Sequence, residues 1–137
     1  MVGEAEELYN KGCAAFNNGK TLDALTLFEK AFNMEPENPR YQSYLGLCIA
    51  FERGKIKEAV SLCERALQAE PRKAECYLNL GRVYLRSGLK LRAVEVFRKG
   101  LRIDNKNPAI VAELHAMGLR NKSIISSLPR DNFLNKY

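Results

Sequence analysis

Long apolar runs are absent from this sequence. The longest, from Tyr44 to Phe51, contains Gly46 and is far shorter than the roughly 20 residues that a membrane-spanning helix needs. Residues 1–10 are acidic and carry no apolar core of a secretory signal. Proline and glycine are also few, at 5 and 9 of 137 residues. We therefore exclude a membrane-spanning protein, a secreted mini-protein and a collagen-like chain, and we expect a cytoplasmic protein.

The spacing patterns of metal sites and disulfide frameworks are missing as well. None of the cysteines forms a C-x-x-C pair, and His115 is the single histidine. A zinc site would have to gather ligands from distant parts of the chain. We expect reduced thiols that behave as small apolar side chains, at Cys13, Cys48, Cys63 and Cys76. The sequence thus predicts no metal and no cofactor.

Positive charge is concentrated in the C-terminal part of the chain. Residues 82–137 hold 12 Lys and Arg against 4 Asp and Glu, whereas residues 1–81 hold 10 against 12. This asymmetry favours an acidic protein, an anionic lipid surface or a nucleic acid as partner, although a solvated basic face explains it equally well. Basic and aromatic residues do not interleave as in single-strand-binding proteins, so nucleic acid is disfavoured. Any membrane association would be peripheral.

An internal repeat is the main feature that the sequence does contain. Four series of residues recur with a period of 34 or 35: Gly12, Gly46 and Gly81; Ala24, Ala59 and Ala93; Gly19, Gly54 and Gly88; and Pro36 with Pro71. Series that share one period indicate a tandem array of similar structural units.

Each unit predicts two helices. Apolar residues at helical spacing place first helices over about 4–17, 40–52 and 74–86, and second helices over about 21–34, 56–69 and 90–103. The glycine between them accepts the left-handed backbone that ends a helix. The second unit has one extra residue between Gly46 and Gly54, which leaves its register open by one position. Strand alternation is not sustained anywhere, so we predict an all-α fold.

A further helix is predicted after the repeats. Asn107-Pro108 mirrors Asn38-Pro39, and proline is favoured in the first turn of a helix. This helix would cap the last apolar face of an open stack. The predicted organisation is a domain over residues 1–118, with repeats at about 5–38, 39–73 and 74–107 and a capping helix at 108–117, followed by a basic tail at 119–137 that docks or extends.

These units resemble the tetratricopeptide repeat (TPR) family, whose pattern is an aromatic residue, L-G-x2-Y, A-x3-F and P. The third unit matches best, through Tyr77, Leu80-Gly81, Tyr84, Ala93 and Phe97. The second departs most, because Gln42 stands at the aromatic position and Cys63 at the phenylalanine position. The resemblance implies a right-handed superhelix of three helix-turn-helix hairpins plus a C-terminal capping helix, with the first helices lining a concave groove.

The resemblance also implies a partner-binding surface on the first helices. Tyrosines there suit peptide contact, asparagine amides can hold an extended backbone, and arginines one turn apart can take a carboxylate. The candidate partner-binding residues are Tyr9, Asn10, Cys13, Asn17, Arg40, Tyr44, Asn79, Arg82 and Arg86.

One subclass of the family grips the C-terminal carboxylate of chaperones with lysine, asparagine and arginine side chains. The matching positions here carry none of the expected residues, because they are Tyr9, Cys13, Tyr44, Glu75 and Asn79. The sequence therefore disfavours a chaperone-tail clamp.

No catalytic motif is recognisable in the chain. Gly19-Lys20-Thr21 lacks the upstream glycine and the preceding strand of a phosphate loop. We predict a non-enzymatic adaptor or scaffold that binds a protein or peptide, by preference an acidic one, in its groove. Two alternatives stay open: binding of RNA or lipid through the basic C-terminal half, and self-association into a homo-oligomer.

Overall fold

Seven helices build residues 2–118, which are the residues that the computed structural model describes. They are α1 (Glu4–Asn17), α2 (Thr21–Met34), α3 (Pro39–Arg53), α4 (Ile56–Ala69), α5 (Ala74–Arg86), α6 (Lys90–Ile103) and α7 (Pro108–Ala116). Contacts are most extensive within the pairs α1–α2, α3–α4 and α5–α6. Successive pairs pack through α2–α3, α3–α5 and α4–α5, and α7 packs on α6. Over this range the prediction of an all-α superhelix of three hairpins with a final helix is confirmed.

The helix bounds differ from the predicted ones mainly in α3, which runs over Pro39–Arg53. Arg53 passes directly into Gly54, whose φ of 64° is left-handed. After α1, by contrast, Asn18 precedes the equivalent left-handed Gly19. The extra residue of the second unit is therefore absorbed by a longer helix and a shorter turn, and the packing register of the hairpin is kept.

Two asparagine–proline pairs begin the helices α3 and α7, as their sequence similarity suggests. Asn38 Oδ1 accepts a hydrogen bond from the backbone N–H of Arg40 at 3.0 Å, and Asn107 Oδ1 accepts one from Ile110 at 3.0 Å. Each bond satisfies a backbone donor that the first turn leaves unpaired. The predicted basic tail, residues 119–137, lies outside the described residues.

A glycine makes room for a buried aromatic ring in the first and third hairpins. A Cβ on Gly12 would lie 2.6 Å from Cε1 of Phe28, and a Cβ on Gly81 would overlap the ring of Phe97. Both rings are fully buried. In the second hairpin a Cβ on Gly46 would instead lie 2.8 Å from the carbonyl oxygen of Ala59. The backbones of α3 and α4 thus approach each other closely at Gly46 and Ala59, without an intervening ring.

Gln42, the residue that departs from the family pattern, keeps the contact that an aromatic residue makes in the next unit. Its Nε2 donates to the carbonyl oxygen of Pro36 at 2.8 Å. The hydroxyl of Tyr77 donates to the carbonyl oxygen of Pro71 at 2.9 Å. Because both prolines occupy the same place in the loop before a first helix, the two side chains anchor equivalent loops.

Candidate functional site

The predicted partner-binding residues lie on the first helices α1, α3 and α5, but not all reach the surface. Tyr9 and Asn79 are buried, with 3% and 0% of their area exposed, so they support this face from beneath. The others are exposed or half-buried: Asn10, Cys13, Asn17, Arg40, Tyr44, Arg82 and Arg86. We use "the groove" for the face formed by α1, α3, α5 and α7.

A cluster of aromatic rings forms the end of the groove near the start of α3. The ring of Tyr9 lies 5.4 Å from that of Tyr41 and 5.5 Å from that of Tyr44, measured between centroids. The guanidinium of Arg40 stacks 4.7 Å above the Tyr9 ring. The hydroxyl of Tyr44 donates to Glu75 Oε2 at 2.5 Å and so links α3 to α5. A cavity of about 250 Å³ opens beside Arg40, Tyr44 and Glu75.

The tyrosine hydroxyls in this cluster stay protonated. Burial raises the pKa of both Tyr9 and Tyr44 well above the ordinary value, and the nearby carboxylate of Glu75 raises each further. The Tyr44 hydroxyl can therefore serve only as a neutral hydrogen-bonding group near neutral pH. Its contact with Glu75 holds a carboxylate at this end of the groove.

A second cavity, of about 450 Å³, lies at the opposite end of the first helices. Phe16, Phe51 and Leu85 form its apolar walls, and we call this cavity the apolar pocket. Phe16 and Phe51 meet edge to face with centroids 5.6 Å apart. The guanidinium of Arg86 stands 4.7 Å above the Phe51 ring.

An ion pair between α5 and α7 forms the polar wall of the apolar pocket. Arg82 Nε lies 2.6 Å from Glu113 Oε2, and both side chains are mostly buried. Arg82 and Arg86 were expected to bind a carboxylate together. In the structure their contacts differ, because Arg82 pairs with a carboxylate of this chain, whereas Arg86 stacks on a ring and remains exposed.

Sequence reasoning missed the apolar pocket, although a signal for it exists. Phe16, Phe51 and Leu85 each precede by three residues the glycine that ends a first helix, namely Gly19, Gly54 and Gly88. The repeat therefore carries a bulky apolar residue at the same place in all three units. Such a residue near the end of a helix is easily taken for a core position, and only the packing shows that these three border a cavity.

The buried Asn79 connects α5 to α3 inside the stack. Its Nδ2 donates to Ser43 Oγ at 2.9 Å. The thiol of Cys63 donates to the carbonyl oxygen of Ser43 at 3.6 Å. These bonds pair polar groups that burial would otherwise leave unsatisfied, and they fix α3 relative to its neighbours.

The four cysteines are free thiols, and three of them are buried. Burial raises the pKa of Cys48 to about 12 and that of Cys76 to about 11. Within residues 2–118 no group of histidine, cysteine and acidic side chains is placed to hold a metal ion. The same residues include no helix with the length and apolar character required to cross a bilayer.

We expect the free energy of unfolding to fall between pH 9 and 10.5, by on the order of 1 kcal/mol per pH unit for each buried thiol. In the unfolded chain a cysteine loses its proton at about pH 8.5, whereas in the folded chain Cys48 and Cys76 stay protonated at that pH. The folded state then binds more protons than the unfolded state, so the stability is complete below pH 8 and is lost as the pH rises. Urea unfolding at several pH values measures this slope.

The Cys48→Ala variant is the control for the alkaline effect, because it removes one of the titrating thiols. Its stability should be lower at pH 7 but should decline less steeply above pH 9. Equal slopes for the variant and the original chain would show that Cys48 does not contribute.

Comparison of this chain with models of known protein families gives matches to a repeat family. Two models, both described as tetratricopeptide repeat, match residues 9–69 and 50–117. Together the matches extend from α1 to α7. A comparison with curated proteins finds no significant match.

Solved structures with the same fold include the Sgt2 TPR domain from Aspergillus fumigatus, at 22% identity and a TM-score of 0.68, covering 96% of this chain and 89% of that one. The first TPR domain of human RPAP3 has 21% identity and a TM-score of 0.66, with 97% of each chain covered. The first TPR of Spaghetti (RPAP3) bound to HSP90 peptide SRMEEVD has 22% identity and a TM-score of 0.65, covering 84% of this chain and 93% of that one. At these identities the likeness is one of fold.

Proposed function

Because the chain belongs to the tetratricopeptide repeat family, we propose that it is a non-enzymatic adaptor that binds a peptide or a helix of a protein partner in its groove. The observation that carries the proposal is the pair of cavities between first helices, one at each end of the groove. Aromatic and arginine side chains border both, and these residue types dominate binding energy at protein interfaces. The Spaghetti (RPAP3) structure, which holds an HSP90 peptide, gives a precedent for peptide binding on this fold.

The partner proposed for this chain differs from a chaperone tail. Glu75 occupies the aromatic end of the groove and accepts a hydrogen bond from Tyr44. The cavity at this end is lined by Glu70 and Glu75 as well as by Arg40 and Lys73, so it offers an entering terminal carboxylate no excess of positive charge. We propose that the groove instead contacts an internal segment of its partner.

The test uses peptides selected from a random phage-displayed library on the 137-residue chain, followed by fluorescence anisotropy with the best synthetic peptide. The double variant Asn17→Ala, Arg40→Ala removes two exposed side chains from the groove face. We expect it to weaken binding about tenfold or more, because truncating an interface residue that carries binding energy costs over about 1 kcal/mol. Circular dichroism checks that the variant is folded.

The matched control is Asn33→Ala with Lys57→Ala, on the exposed faces of the second helices α2 and α4. Its affinity should stay within about twofold of the original, since surface residues outside an interface contribute little. Equal losses in the groove variant and the control variant, or no loss in either, would contradict groove binding.

Anionic-surface binding is the second candidate, and one feature of α6 favours it. This helix presents exposed Lys90, Arg92, Lys99 and Arg102 against a single acidic residue, Glu95. A ligand held by these cations would lose affinity steeply as salt is added, because counterion release drives such binding. The charge reversals Lys99→Glu and Arg102→Glu would then abolish binding, while the groove variant would bind normally.

A further inference from the structure

The apolar pocket is open to solvent, and its apolar walls come from three different helices. Phe16 comes from α1, Phe51 from α3 and Leu85 from α5, and the side chains of all three are only partly buried. The cavity of about 450 Å³ falls within the roughly 300–1,000 Å³ range of pockets that bind ligands. A bulky apolar side chain that entered the pocket would cover the exposed area of the Phe16 and Phe51 rings. Removing this apolar area from water favours binding of such a side chain.

Charged side chains border the apolar pocket, and Glu52, which accepts a hydrogen bond from Thr21 of the pocket wall, lies beside it as well. Arg82 and Glu113 form an ion pair within the chain and compensate each other. Arg86 stacks on Phe51 through a cation–π contact, and its side chain is exposed. Among residues 2–118, Arg86 is the guanidinium lining this pocket that forms no ion pair with a carboxylate of the chain.

This combination distinguishes between possible ligands of the groove. The apolar walls favour a bulky apolar side chain, and the guanidinium of Arg86 favours an anionic group close to that side chain. An acidic side chain next to an apolar one satisfies both features, because guanidinium–carboxylate pairs are strong and directional.

We propose that the apolar pocket selects partner segments in which a bulky apolar residue lies within one helical turn of an aspartate or glutamate. The apolar side chain contacts Phe16 and Phe51, and the carboxylate pairs with Arg86. The proposal rests on the groove function above and adds the chemistry that the groove recognises. It makes Phe51 and Arg86 specificity-determining residues, although the sequence patterns suggested only the second.

The experiment repeats the phage-displayed selection on the original 137-residue chain, on Arg86→Glu and on Phe51→Ala. The original chain should enrich peptides with Phe, Leu or Met close to Asp or Glu. For the best such peptide, Arg86→Glu should weaken binding about tenfold or more, and replacing the peptide's acidic residue by lysine should restore most of the affinity. Phe51→Ala should weaken binding and remove the preference for the apolar residue.

The control variant Arg102→Glu makes the same charge change at an exposed site on α6. It should enrich the same peptides as the original chain. Because Arg86 is exposed, its charge reversal tests the proposal even if Phe51→Ala proves too unstable to use.

Two kinds of result would overturn the proposal, and they differ in what they leave standing. Peptides that lose affinity in the Asn17→Ala, Arg40→Ala variant but bind Arg86→Glu and Phe51→Ala normally would refute the pocket while keeping groove binding. A selection that enriches no peptide sensitive to any groove variant would refute both.

Discussion

Replacing Phe97 with alanine is expected to lower the free energy of unfolding by about 3–5 kcal/mol. The ring is fully buried between α5 and α6, and Gly81 lies directly against it. Neighbouring helices can only partly collapse into the space that the ring vacates, so the loss includes both transfer and cavity contributions. Urea unfolding followed by circular dichroism measures the change.

Leu91→Ala provides the control on the same helix. Leu91 is 88% exposed, so its truncation should change the stability by no more than about 0.5 kcal/mol. A loss of similar size in both variants would mean that α6 does not use the Phe97 face as its buried side.

The contact between Phe97 and Gly81 also predicts that substitutions at these two positions have non-additive effects on the free energy of unfolding. On its own, Gly81→Ala should be destabilising, because its methyl group would overlap the ring of Phe97. Once Phe97 is alanine the same methyl fills part of the cavity and gains the helix propensity of alanine. The double variant should therefore be more stable than the sum of the single effects predicts, and strict additivity would contradict the contact.

The second large effect is expected for Cys63→Phe, which introduces the residue that the other two units carry at this position. We expect a loss of about 2–3 kcal/mol. Cys63 is fully buried, and a Cβ built on Gly46 would lie 3.0 Å from its sulfur and 2.8 Å from the carbonyl oxygen of Ala59. The ring that fits against Gly12 and Gly81 thus has no space between α3 and α4.

Thermal unfolding distinguishes this expectation from one based on the repeat pattern alone. Substitution toward a consensus residue commonly stabilises repeat proteins, so the pattern predicts a higher melting temperature for Cys63→Phe. Packing predicts a lower one. The smaller substitution Cys63→Ala is the control and should cost less than Cys63→Phe if steric overlap is the cause, and the reverse order would point to lost apolar contact instead.

The candidate site was predictable in part from the sequence. Asn17, Arg40 and Arg86 were expected on the exposed face of the first helices, and they are exposed there. Tyr9 and Asn79 were assigned to the same face but are buried, because helical spacing gives the side on which a residue lies and not the depth of the layer packed over it. The roles of Tyr9 and Asn79 in partner binding remain predictions. From their buried positions these side chains would affect a partner by supporting the residues that form the groove.

For residues 2–118 the sequence by itself determined the number of helices, the all-α class and, outside α3, the approximate helix ends. These features depend on signals within a few residues, such as apolar spacing, the asparagine–proline starts of α3 and α7, and the glycines that accept a left-handed turn. Only the tertiary structure decided that Arg82 pairs with Glu113, that α3 and α4 leave no room for a ring at Cys63, and that Phe16 and Phe51 border an open cavity. Each of these depends on distances between residues about 30 or more apart in sequence, or on how closely two helices approach, which a local pattern does not encode.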